Sequence, residues 1–282
     1  MRPLALLSAC LTFVVVVVGA YVRLSDAGLG CPDWPLCYGQ PLPADIADAD
    51  ALAKAWKEMG HRYLAAALGL LILLLAFVAW RKRQAPWLAT AIAALVVIQA
   101  TLGKWTVTML LKPAIVTAHL LGGMAILALL VWMALSQSQF QYSKQGREVR
   151  VPAVLALAVL AIQIALGGWV SANYAGLACL DLPLCQGRWL PMDALTAIHW
   201  SHRVFAVVVL VVVGWTAIKT MKIFPRLGGA IALLLLLQLA LGVANVAFSL
   251  PLALAAAHNA GAALLLAALV VLNFFAFRGL RP

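Results

Sequence analysis

The side chains of this chain with the most chemistry to offer are five histidines, one carboxylate close to them, and two pairs of cysteines. The histidines are His61, His119, His199, His202 and His258. Each lies in or beside an apolar stretch, where an ionisable group is costly and so marks a functional position by default. A single membrane histidine serves equally well as a hydrogen-bonding group between helices. Four of these five share a setting, however. His61, His119, His202 and His258 each fall within the first turn or two of an apolar stretch, and all four stretches run in the same direction. At 1.5 Å per residue this predicts one common depth, a few ångströms below one membrane face. Two imidazoles on facing helices of a bundle can hold a porphyrin iron from both sides. Two such pairs predict two haem sites. Zinc is the competing metal, but it takes three or four ligands converging on one point, usually with carboxylate or thiolate help. Ala65, Ala66, Gly122, Gly123, Ala206 and Gly261 beside the histidines leave room for a flat macrocycle, although close helix packing also selects small residues.

Glu58-x-x-His61 and His199-x-x-His202 occupy equivalent places. A spacing of three puts both members on one helix face, so Glu58 is expected near whatever His61 binds, as an acid/base or water-positioning group. The structural alternative is a carboxylate paired with Arg62, four residues on. One carboxylate against one imidazole makes the two sites unequal, with a reaction centre expected at the first and a supporting haem at the second. Arg23, Arg62 and Arg203 are candidates for charge-assisted contacts to haem propionates, or for snorkelling to lipid phosphates. Cys31 and Cys37 lie in one loop, and Cys179 and Cys185 in another; matched pairs in an oxidising outer compartment imply disulfides, read as structural staples. A redox role is the alternative, weakened by the absence of a C-x-x-C spacing. Cys10 is expected to be buried in a span and inert.

The elements that must position these groups are membrane helices. The chain has 282 residues, 65% hydrophobic and 10% charged, with mean hydropathy +1.02. Water-soluble domains carry about 25% charged residues. Apolar runs predict eight spans at 4–22, 60–80, 87–106, 114–135, 151–172, 198–220, 227–248 and 252–277, each near the roughly 20 residues that cross hydrocarbon. With no water to bond the backbone, such runs are helices. The first span reads as a true span and not a cleaved leader, because no A-x-A-like site follows it. The net charge of +11 sits in short loops and implies membrane orientation, with no nucleic-acid partner. Arg2, Arg81, Lys82, Arg83, Lys144, Arg147, Arg150, Lys219, Lys222, Arg226, Arg278 and Arg281 fall on one side with a single acid, Glu148. The positive-inside rule then places both termini in the cytoplasm and the loops 23–57 and 173–197 outside. The acid-rich stretch Asp45, Asp48 and Asp50 has no assigned role.

An internal repeat orders the eight spans. Residues 23–43, RLSDAGLGCPDWPLCYGQPLP, and 171–191, SANYAGLACLDLPLCQGRWLP, share eleven of twenty-one positions without a gap. His61-Arg62 matches His202-Arg203, and Gln99, Leu102, Gly103 and His119 match Gln238, Leu241, Gly242 and His258. The expected fold is an all-α integral membrane protein of eight transmembrane helices, arranged as two repeated four-helix bundles. The halves span 1–135 and 151–282, with a polar, basic connector at 136–150. Both halves begin on the same side, so the repeat is parallel.

With RLSDAGLGCPDWPLC at 23–37, E-x-x-H-R at 58–62, H-x-x-H-R at 199–203, and His119 and His258 in place, nearly the whole chain resembles the haem A synthase family. The resemblance implies oxidation of one methyl group of haem O to a formyl group by successive hydroxylations, through a geminal diol that loses water. It implies a role for Glu58 in that chemistry, a substrate haem on His61 and His119, and haem b on His202 and His258. It implies disulfides Cys31–Cys37 and Cys179–Cys185. It also implies haem O synthase and terminal-oxidase assembly factors as partners, an electron acceptor, a possible homo-oligomer, and a bacterial plasma membrane, since mitochondrial members lack the loop cysteines. Two other readings compete on the residues alone. One is a di-haem membrane cytochrome b carrying electrons from quinol. The other is a thiol oxidant working through the loop cysteines, which leaves the histidines unexplained.

Overall fold

The computed structural model describes residues 1–44, 46–139, 141–142, 144–278 and 280–281, with the side chains of 141, 142, 144, 145, 280 and 281 left aside. Asp45 and the side chains of Lys144 and Arg281 lie outside the described residues. Eight helices among them are long and apolar enough to cross a membrane: α1 (Arg2–Leu24), α2 (Ala49–Lys82), α3 (Pro86–Thr108), α4 (Pro113–Ser136), α5 (Arg150–Ala172), α6 (Ala194–Met221), α7 (Pro225–Ala247) and α8 (Leu252–Arg278). Three of them open on a proline, Pro86, Pro113 and Pro225, where the missing N–H has no intrahelical partner to lose. Their outer faces stay apolar: Leu70, Phe77, Val211 and Leu233 are among the exposed large side chains. In water such faces would be a liability; in a bilayer they are the lipid contact.

The observed α2 is much longer than the span expected at 60–80. It starts at Ala49, capped by the Asp48 side chain, which accepts from the Ala51 N–H at 2.7 Å. Asp50 pairs with Lys54 at 2.9 Å in the first turn. The two described acids of the unassigned stretch are therefore a helix start. Hydropathy misses this segment because it is polar, not because it is irregular. His61 consequently lies 12 residues into its helix, about 18 Å from the start, while His119, His202 and His258 lie six, eight and six residues after Pro113, Ala194 and Leu252. Cys10 also departs from expectation, being exposed on α1 and not buried, since the outside of a membrane helix is apolar as well.

The chain divides into two compact units, Met1–Ala134 and Leu135–Pro282. In the first, α2 packs between α1 and α3. In the second, α5, α6, α7 and α8 pack in sequence and α8 closes back on α5. Polar ties pin that closure: Thr216 Oγ1 donates to the Pro152 carbonyl at 3.1 Å and Asn273 Nδ2 to the Ala153 carbonyl at 3.0 Å. Arg150 Nε donates to the Ala276 carbonyl at 2.8 Å, filling an open acceptor near the α8 C-terminus. One small feature departs from an all-helical chain. Strands β1 (Gln141–Tyr142) and β2 (Leu280–Arg281) pair antiparallel, using backbone groups of the polar connector that no helix satisfies.

Candidate functional site

Each cysteine-bearing loop is a disulfide-closed turn held down by one arginine. Cys31 is bonded to Cys37 and Cys179 to Cys185, with Cα atoms 4.7 and 4.6 Å apart. Inside each ring a carboxylate organises the turn. Asp33 accepts from the Tyr38 and Gly39 N–H groups at 2.6 and 2.8 Å, and Asp181 from Gln186 and Gly187 at 2.7 Å each. Burial raises the Asp33 carboxyl, but the Gly39 and Tyr38 N–H groups, its own backbone N–H and the Arg62 charge together hold it below the usual carboxylate value. Asp181 is lowered chiefly by the Gly187 N–H. Gly30 permits the approach: a Cβ there would lie 2.6 Å from the Lys54 carbonyl.

Glu58 and His199 are the anchors beneath these turns. The Cys31 N–H donates to Glu58 Oε2 at 2.9 Å, and the Cys179 N–H to His199 Nδ1 at 3.3 Å. Arg62 donates to Glu58 Oε1 and also to the carbonyls of Asp33 at 3.0 Å and Leu36 at 2.7 Å. Arg203 repeats the arrangement, with Nε on His199 Nε2 at 3.2 Å and donors on the carbonyls of Asp181 at 2.8 Å, Leu184 at 3.2 Å and Cys179. Both Glu58 and His199 are buried. Both arginines are thus engaged in holding loops, while Arg23 is half-buried in the last turn of α1. The Glu58–Arg62 ion pair foreseen as the structural alternative is present. It leaves lone pairs on both carboxylate oxygens.

The four remaining histidines come together two by two within each unit. His61 is within electrostatic reach of His119, and His202 of His258 and also of His199. The Nδ1 atoms of His61, His119 and His258 are buried without a hydrogen-bond partner. Native interiors seldom leave such atoms unsatisfied, and each exception calls for an explanation. Among the described residues no three His, Cys, Asp or Glu side chains converge on one point, so the donor set is a pair of imidazoles per unit. That set fits axial ligation of a porphyrin iron and does not fit a tetrahedral zinc site.

Sequence reasoning missed Gln163. Its Nε2 lies 3.2 Å from Nδ1 of His202 and donates to the His202 carbonyl at 3.1 Å. The internal repeat hides it, because residue 15, the corresponding position in the first half, is Val15. The available signal was its spacing, four residues before Gly167.

Residues 2–270 match the family model described as cytochrome oxidase assembly protein. The chain is 40% identical to a haem A synthase of Shewanella oneidensis over 94% of its own length and 93% of that protein. It is 30% identical to a haem A synthase of Rhizorhabdus wittichii, with 94% and 90% covered, and 29% identical to one of Caulobacter vibrioides, with 100% and 97% covered. With its eight membrane helices, loop disulfides and paired histidines, this chain belongs to the haem A synthase family of cytochrome oxidase assembly proteins.

Proposed function

We propose that the protein is a membrane oxidoreductase that converts haem O to haem A. The observation that carries this reading is the pairing of buried histidines within each unit of a chain whose match to the family runs nearly end to end. In this reading residues 1–135 form the substrate half, 136–150 the connector and 151–282 the cofactor half. His61 and His119 hold haem O. His202 and His258 hold haem b, which supplies one-electron chemistry when bound. Glu58 accepts protons as the methyl group is oxidised to a formyl group. Its carboxylate is suited to this because the Cys31 N–H and Arg62 fix both oxygens in place, and a fixed base loses little to reorganisation. Arg23, Arg62 and Arg203 remain the candidates for propionate contacts, with loop carbonyls already on some donors of Arg62 and Arg203.

The distribution of lysine and arginine supports both termini in the cytoplasm and the disulfide loops outside, and the bacterial relatives support a bacterial plasma membrane. Haem O synthase, oxidase assembly factors, an electron acceptor and a further copy of this chain are the partners this reading expects. The test is to purify the protein with and without co-expressed haem O synthase, extract its haem and identify it by chromatography. Haem O, haem A or the hydroxylated intermediate is expected when haem O synthase is present. Haem B alone under both conditions would contradict the reading and favour a plain di-haem cytochrome.

A further inference from the structure

Each of α1, α3, α5 and α7 places a glycine against the imidazole of the helix that follows it. In all four seats the atom nearest the position a Cβ would take is the ring Cε1. The separations are 2.8 Å for Gly19 and His61, 3.4 Å for Gly103 and His119, 3.1 Å for Gly167 and His202, and 3.4 Å for Gly242 and His258. Four residues before each glycine, one turn away on the same face, stand Val15, Gln99, Gln163 and Gln238. Three seats therefore read Gln-x-x-x-Gly, and α1 alone carries valine.

A primary amide suits this place chemically. An imidazole bound to iron through Nε2 carries its proton on Nδ1 and needs an acceptor there, and that partner fixes both tautomer and ring orientation. A free imidazole can instead take a donor. Gln163 offers both functions: its Nε2 lies 3.2 Å from Nδ1 and 3.4 Å from Nε2 of His202, while its Oε1 is buried with no partner. Gln99 and Gln238 project into the notches left by Gly122 and Gly261, three residues after His119 and His258 on the same helices. Val15 offers neither function. Nδ1 of His61 is buried without a partner, as are those of His119 and His258, and it is His202 whose Nδ1 has an amide beside it.

We propose that Gln163 is a positioning residue that locks His202 for lasting haem ligation, and that Val15, at the equivalent position of the first half, leaves His61 the ligand that lets its haem go. This rests on the assignment of His61 and His119 to the substrate and His202 and His258 to haem b. An enzyme that consumes one haem and keeps another needs that inequality, and α1 is where the repeat supplies it.

The test measures haem loss from the full-length protein, purified from cells making haem O, after adding excess apomyoglobin as a haem trap. Haem remaining on the protein is identified by chromatography over time. Wild type should lose haem O and haem A faster than haem B. Gln163→Leu should speed haem B loss by about ten- to a hundredfold, the usual effect of removing such a partner, and should shift the low-temperature EPR g-values of the haem b. Val15→Gln should slow loss of haem O by a comparable factor. The opposite signs separate a lost bond from a damaged fold, which would speed both. Haem B release from Gln163→Leu at the wild-type rate, or haem O release from Val15→Gln no slower than wild type, would overturn the proposal. Wild-type protein without any haem would instead overturn the functional assignment beneath it.

Discussion

Arg62 joins Glu58, one turn back on the same helix, to the Asp33 and Leu36 carbonyls of the loop above. Arg203 joins His199 to the Asp181 and Leu184 carbonyls in the same way. The two clamps differ chiefly in the group beneath the guanidinium, a carboxylate in one and an imidazole in the other. That difference sets how much each clamp stabilises its loop. It also gives the first unit the one buried carboxylate among the described residues.

Removing Arg62 should therefore cost more than removing Arg203. Arg62→Ala strands a buried carboxylate, at about 3–5 kcal/mol. Arg203→Ala strands a neutral imidazole and loop carbonyls, at about 1–3 kcal/mol. Thermal unfolding of both variants in detergent reads the difference. Equal losses would mean that Glu58 carries no charge in the folded protein.

Glu58→Gln keeps an acceptor for the Cys31 N–H and nearly the same volume while removing the base. We expect haem A formation to fall by about a hundredfold or more, the usual contribution of general base catalysis, with haem B retained. Chromatography of haem extracted from membranes measures both at once. Undiminished product would take Glu58 out of the chemistry.

The glycine seats differ in tightness, and alanine scanning should expose it. A Cβ at Gly19 would come within 2.8 Å of the His61 ring, so something must shift, whereas at Gly242 the separation from His258 is 3.4 Å, close to ordinary contact. Gly19→Ala should reduce occupancy of the substrate haem, at an overpacking cost of about 1–3 kcal/mol. Gly242→Ala should leave haem B stoichiometry near that of wild type. Haem-to-protein ratios decide, and the reverse order would contradict the packing described here.

The disulfide-closed turns should loosen in acid. The Asp33 carboxyl is held below its ordinary value of 3.8, so its contribution is fully present above that value. The contribution is lost as pH falls through the lower folded value. Hydrogen exchange at the Tyr38 and Gly39 amides should keep its protection at neutral and mildly acidic pH and lose it only below the ordinary carboxylate range. Loss of protection near neutrality would assign the turn to another group.

Much of this was legible before any coordinates. Eight apolar runs became eight helices, because hydrocarbon leaves the backbone no alternative. The repeat pointed to Cys31, Cys37, Cys179 and Cys185, to Glu58 opposite His199, and to the four paired histidines. What escaped was of two kinds. The polar start of α2 from Ala49 is invisible to a hydropathy window, although Asp48 is an ordinary capping residue. Gln163 acts on His202, 39 residues away, and the comparison of halves searched for identities while the informative position was the one where glutamine faces valine. The loop-clamping use of Arg62 and Arg203 depends on carbonyls whose directions only the folded turns determine.

The central claim is a division of labour between two histidine pairs, and haem identity in two single variants tests it most directly. With haem O synthase co-expressed, His119→Ala should lose haem O and haem A while keeping haem B. His258→Ala should lose haem B. Loss of haem B from His119→Ala with haem O retained would contradict the account.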